Sequence, residues 1–263
     1  MTATVIHATS EKGGATKTTT SVNGAAALGL MGKRVLLVDF DPQFNATTAC
    51  GVDPAEVPAT IYEALHHKVK INEAIVKTPH GFDLVPASRD LTGFSDEVDR
   101  EADSRYDHLK FALLPVVEDY DFIVIDAPPT LEIFTLNALA AATDILIPVQ
   151  PAGFALGGMT EMVNTFASLV SSGINPNLRI AAVVMTMWDG RYKADNEEFA
   201  AIAKEFCEQR YVPYLDTHVR LSRHFKDAED AGVPAVLHHQ KNKRSPVHAY
   251  TKIFAQVFGD ERA

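Results

Sequence analysis

The chain has 263 residues, 46% of them hydrophobic, and a formal net charge of −10. That length and apolar content suffice for one sizeable core, and the acidic balance argues against indiscriminate binding to polyanions, though a local basic patch remains compatible with it. Two cysteines far apart in the chain, Cys50 and Cys207, argue against a disulfide framework. With no leader pattern and no long uncharged apolar run, they lead us to expect a cytoplasmic protein without stable membrane insertion.

Taken in order, residues 4–9 read as a buried strand, and the stretch from Thr18 to about Leu30 as a helix with a small-residue face. Between them lies Glu11-Lys12-Gly13-Gly14-Ala15-Thr16-Lys17-Thr18-Thr19. Strand, glycine loop and helix in that order form the context of a phosphate-binding loop. Gly13 and Gly14 let main-chain N–H groups approach an anion. Lys17 is placed to meet the outer phosphates, and the Thr18 hydroxyl to ligate Mg²⁺.

Arg34 to Phe40 is a continuous apolar run suited to a central parallel strand, and it ends in Asp39-Phe40-Asp41-Pro42-Gln43. Open α/β sheets bind ligands at that end of their strands. Thr60 to Leu65 starts a helix, and residues 81–88 read as a strand with its exit. The acidic segment from Asp96 to Asp107 is expected to be a solvated helix face. Residues 121–126 form a further buried strand, closed by Asp126 in the position of a metal-binding carboxylate. Strands are also expected over 144–150, 179–187 and 212–215, with helices over 159–171 and 249–258. Strands alternating with helices predict an α/β fold, a doubly wound, mostly parallel sheet with helices on both faces, as one domain over residues 1–263.

The nine-residue loop departs from G-x-x-x-x-G-K-[ST], because Thr16 stands where the second glycine belongs. It carries instead K-G-G-x-x-K-[ST]. In this the sequence resembles the ParA/MinD family of deviant Walker-A ATPases, and the ParA/Soj partition proteins in particular. The likeness extends through Asp41 to Thr48, Leu84 to Ser88, Asp126-Ala127-Pro128-Pro129, Thr135 to Leu139, Ile147 to Gln150, Met187 to Arg191 and Val219 to Ser222.

The resemblance implies ATP and Mg²⁺ as cofactors. It gives Lys12, Lys17 and Asp41 catalytic roles: Lys12 crosses to the partner subunit's ATP in a homodimer, and Asp41 orients the attacking water. It implies metal ligation by Thr18, Asp39 and Asp126. It also implies ATP contacts by Lys12, Gly13, Gly14, Ala15, Thr16, Lys17, Thr18, Thr19, Met187 and Asp216, the last where a proline often borders the adenine. Non-specific DNA binding would fall to Arg191, Arg220, Lys241, Lys243 and Arg244. Residues 210–252 hold eight Lys and Arg against four acids. A ParB-like adaptor would stimulate hydrolysis, and the protein would associate with the nucleoid.

The departures carry expectations of their own. A β-branched Thr16 resists a left-handed backbone, which predicts a reshaped loop with altered affinity or turnover. Phe44 replaces another glycine. A scaffold that binds nucleotide without turnover is one alternative. A MinD-like membrane-surface ATPase is another, disfavoured by the acidic end of the terminal helix. Cys50 and Cys207 do not sit where an iron–sulfur relative would need them.

Overall fold

In a computed structural model the protein is described over residues 3–10, 16–98, 105–129, 133–151 and 155–259. Lys12, Gly13, Gly14 and Ala15, together with most of the acidic stretch before Asp107, lie outside the described residues.

The strands are β1 (Thr4–Ala8), β2 (Val35–Asp39), β3 (Val76–Lys77), β4 (Asp83–Val85), β5 (Phe122–Asp126), β6 (Asp144–Val149), β7 (Arg179–Met185) and β8 (Tyr214–Leu215). They form one eight-stranded sheet in the order β3-β4-β2-β5-β1-β6-β7-β8. Every neighbouring pair is parallel except β3 with β4, which is antiparallel at the edge.

The helices are α1 (Lys17–Leu30), α2 (Asn45–Ala49), α3 (Ile61–Leu65), α4 (Phe94–Glu97), α5 (His108–Leu113), α6 (Ile133–Ala141), α7 (Ala155–Ser171), α8 (Lys193–Gln209), α9 (Arg223–Asp230), α10 (Ala235–His238) and α11 (Ala249–Phe258). The sequence-expected start of α3 has a physical basis in a capping box. Thr60 accepts from the backbone of Tyr62, and Glu63 reaches back to the Thr60 N–H.

Strand alternation sorts the core onto two faces. Ile6, Leu37 and Val124 point to the side covered by α1 and α11, where they meet Val22, Tyr250 and Phe254. Val5, Leu36, Val38, Ile123 and Ile125 point to the other side, against Phe40, Ile61, Leu91, Phe94 and Phe134. A third cluster packs α7 and α8 on β6 and β7 through Met159, Met162 and Phe199. The strand order reverses at β1, which lies between β5 and β6, so the carboxyl ends of β1, β2 and β5 converge at a topological switch point.

Candidate functional site

Three strand ends supply the polar groups. β2 and β5 are in register so that Asp39 is directly opposite Asp126. Both carboxylates are buried, at 0% and 1% exposure. Asp39 accepts hydrogen bonds from the Thr47 N–H and hydroxyl, each at 2.7 Å, and from the Asp41 N–H at 3.2 Å. Asp126 accepts from the Ser21 hydroxyl at 3.1 Å, and the neighbouring Thr18 side chain favours its charged form. Burial, and then the charge of neighbouring carboxylates, raises both acids well above the ordinary carboxylate range.

Lys17 opens α1 and is 7% exposed. Burial lowers its ammonium below the usual lysine value, and the Asp126 and Asp41 carboxylates oppose that shift. Asp41 is buried just beyond β2, where it accepts the Gln43 N–H at 2.8 Å. The structure thus brings Lys17, Thr18, Asp39, Asp41 and Asp126 to one place. Ser21 and Thr47 join them without having been singled out from sequence. Ser21 was discernible as the residue one turn after Lys17 on the same face of α1.

Thr16 adopts φ 62°, ψ 20°, and Phe44 φ 44°, ψ 36°. Both substitutes for glycine therefore take the left-handed conformation, and Thr16 does so despite its β-branch.

Beside Thr16 opens a cleft of about 630 Å³, lined by Thr16, Thr19, Met187, Val219, Phe225 and Tyr250 among others. Asp216 is not part of that lining. Its side chain is 81% exposed and pairs with Lys204 at 3.1 Å.

Arg220 is exposed, and its segment is tied to Trp188: the Trp188 N–H donates to the Val219 carbonyl and the Leu221 N–H to the Trp188 carbonyl, each at 3.0 Å. This brings Arg191 to the same edge, where its guanidinium pairs with Asp189 at 2.5 Å. Lys241, Lys243 and Arg244 are exposed in the turn after α10. That turn is held to α9 by a 2.7 Å hydrogen bond between His224 Nδ1 and the Ser245 hydroxyl.

The residues present fit a magnesium ion. The second oxygen of Asp126 is buried with no hydrogen-bond partner, and Asp39 and Asp126 lie opposite one another with Lys17 beside them. Among the described residues no group of three or more His, Cys, Asp or Glu could hold a metal unaided. Mg²⁺ does not need one, since it commonly takes one or two carboxylates together with phosphate oxygens.

Residues 3–180 match the family model described as an AAA domain. The chain is 38% identical over 245 residues to the sporulation initiation inhibitor protein Soj of Bacillus subtilis, covering 93% of this chain and 94% of that protein. It is 34% identical to the chromosome partitioning protein ParA of Caulobacter vibrioides over 261 residues, 98% of this chain and 95% of the relative. The chain belongs to the ParA/Soj family of partition ATPases. As a ParA/Soj ATPase it has ATP and Mg²⁺ as cofactors. The ParA/Soj fold is shared by the cobyrinic acid a,c-diamide synthase of Mycobacterium smegmatis, solved with an ATP analog and magnesium. The TM-score is 0.82 at 30% identity, covering 96% of this chain and 92% of that one.

Proposed function

We propose that this ParA/Soj protein, acting as one ATPase unit over residues 1–263, couples ATP binding to dimerisation and to non-specific DNA binding. Hydrolysis, stimulated by a ParB-like adaptor, then releases the DNA, and the cycle positions a plasmid, chromosome or protein cargo on the nucleoid in the cytoplasm. Lys17 meets the outer phosphates, and Thr18, Asp39 and Asp126 hold the metal. When bound, magnesium neutralises charge on the phosphate oxygens. Asp41 orients the attacking water. Lys12 reaches the partner's ATP across the dimer. Met187, which lines the cleft, flanks the nucleotide.

One observation carries the link between nucleotide and DNA. Arg220 lies between Val219 and Leu221, and both of those line the cleft beside Thr16. Filling the cleft therefore constrains the backbone that presents Arg220. Arg191 shares that edge, and Lys241, Lys243 and Arg244 extend the basic surface beyond α9. A confined basic face on an acidic chain suits salt-sensitive, sequence-indifferent phosphate contact.

The membrane-surface alternative needs an unoccupied apolar helix face. In α11, Ile253, Phe254, Val257 and Phe258 are buried in the core against α1, which favours DNA as the surface bound. The test is Arg220→Glu. Retention on double-stranded DNA with ATP should be lost while the ATP-dependent dimer persists in light scattering. Unchanged retention removes Arg220 from the role, and a wild-type protein that stays monomeric with a non-hydrolysable ATP analogue removes the cycle.

A further inference from the structure

Thr16 poses a physical problem that the fold answers. It immediately precedes Lys17 and Thr18, the two loop residues that must point at phosphate and metal. It holds φ 62°, a conformation a β-branched residue resists, and its side chain makes no capping bond to the helix that follows. A backbone at such an angle persists only where its surroundings fix it.

The fixing group comes from the other end of the chain. Tyr250 in α11 is fully buried, and its ring wedges against α1 and edge-on to Phe225 at 5.9 Å. Its hydroxyl sits 3.1 Å from the Thr20 hydroxyl, one turn along α1, and its side chain lines the same cleft as Thr16. The Thr20 N–H in turn donates to the Thr16 carbonyl at 2.8 Å. Thr16 is thus held at its carbonyl by the same Thr20 that Tyr250 touches. Thr16 and the buried Tyr250 both line the cleft, so this chain of contacts runs from the core to the edge of the proposed nucleotide site.

We infer that Tyr250 is a positioning residue for the phosphate-binding loop: its hydroxyl fixes Thr20, whose N–H holds the Thr16 carbonyl, and so keeps Thr16 in the left-handed conformation that aims Lys17 and Thr18. The C-terminal helix thereby sets the loop's affinity for nucleotide. A glycine at position 16 would reach the same backbone angle without help, so in such a chain the tyrosine hydroxyl would have little to do. The inference rests on the proposed ATP site and makes a conditional claim that this site alone does not: Tyr250 matters because residue 16 is threonine.

The test is a double-mutant cycle on the full chain, with Tyr250→Phe placed in the natural background and in Thr16→Gly. The readouts are the Kd for a fluorescent ATP analogue with Mg²⁺, KM and kcat for ATP hydrolysis, and thermal stability. In the natural background, loss of one hydrogen bond should weaken analogue binding about fivefold and raise KM to match, with kcat changed less. In the Thr16→Gly background the same substitution should change binding less than about twofold. A Tyr250 that merely supports the fold would lose stability and affinity equally in both backgrounds, and that outcome overturns the inference. So does an unchanged Kd for Tyr250→Phe in the natural background. A natural protein that fails to bind the analogue defeats the nucleotide-site reading instead, so the two failures are distinguishable.

Discussion

Asp39 and Asp126 are direct partners across the β2–β5 pairing, two buried acids held side by side at the end of the central strands. Thr47 and the Asp41 N–H satisfy the first, whereas one oxygen of the second has no partner. Both carboxyls are raised above the ordinary value of 3.8. The folded state therefore binds protons that the unfolded chain has already released. The pair's contribution to stability falls as pH rises from that ordinary value through the raised folded ones. Asp126→Asn should stabilise the ligand-free protein at about pH 8, by about 1 kcal/mol, and abolish the stabilisation that Mg²⁺ with nucleotide confers. Urea denaturation with and without both ligands reads the two effects. A destabilised ligand-free variant would show that the carboxylate pair is not repulsive.

Asp41 is held by its own turn, through the Gln43 N–H. Its removal leaves the strand ends in place, so Asp41→Ala should lower kcat about 100-fold while analogue binding is kept. Single-turnover hydrolysis beside a binding titration separates the two. Wild-type turnover would remove Asp41 from water alignment.

How much of this was legible in the sequence depends on whether the determinant is local. The run from Arg34 to Phe40 shows a buried strand because both its faces are covered, and α11 occupies the expected residues 249–258. β3 has only two residues and joins the sheet at its edge, too little for a periodic signal. α8 is rich in charge, and among its described positions only Asn196, Phe199, Ala203 and Cys207 are buried. Such a sparse stripe gave no expected element there. At the site, motif spacing named Lys17, Thr18, Asp39, Asp41 and Asp126. Ser21 could be placed one turn after Lys17, but the Tyr250 contact to Thr20 spans 230 residues and has no spacing to read.

His7 illustrates the same limit and yields a pH test. On β1 its Nδ1 hydrogen-bonds the Ile125 carbonyl at 3.1 Å, and its Nε2 is buried without a partner. Burial, opposed by the Ile125 carbonyl and reinforced by the Lys17 charge, lowers its pKa from 6.5 to about 4. The imidazole is thus neutral in the folded state over a range where the unfolded chain takes up a proton. Its contribution is complete above 6.5 and is lost as pH falls from there toward 4. Over that window the native protein should lose about 3 kcal/mol through this residue. His7→Met should flatten that part of the stability profile. Parallel profiles for the two proteins would exclude His7 as the cause.

Arg191 and Arg220 differ in what already holds them. Asp189 takes both Nε and Nη2 of Arg191, and it also caps the following turn by accepting the Arg191 N–H. Asp189→Asn keeps an acceptor for the cap and removes the competing charge. DNA affinity should rise about twofold to fivefold, with a salt dependence steeper by about one ion. A filter-binding series over salt concentration measures both. Unchanged affinity would mean that Arg191 does not face DNA.

The packing of α1 on α11 rests on Gly24. A Cβ built there would lie 2.1 Å from the Phe254 ring. The ring is 1% exposed and sits among core residues on the same sheet face, so it has little room to retreat. Gly24→Ala gains about 1 kcal/mol of helix propensity. The clash it creates should cost more, leaving the protein less stable by about 1–2 kcal/mol. Phe254→Leu alone should also destabilise, by removing ring contacts. In combination the two should do less harm than their sum, because the smaller side chain vacates the space the new methyl needs. Because α11 also carries Tyr250, Gly24→Ala should weaken nucleotide binding together with stability, and Phe254→Leu should restore both. If stability recovers in the double variant while binding does not, α11 reaches the phosphate-binding loop by a route that bypasses this helix contact.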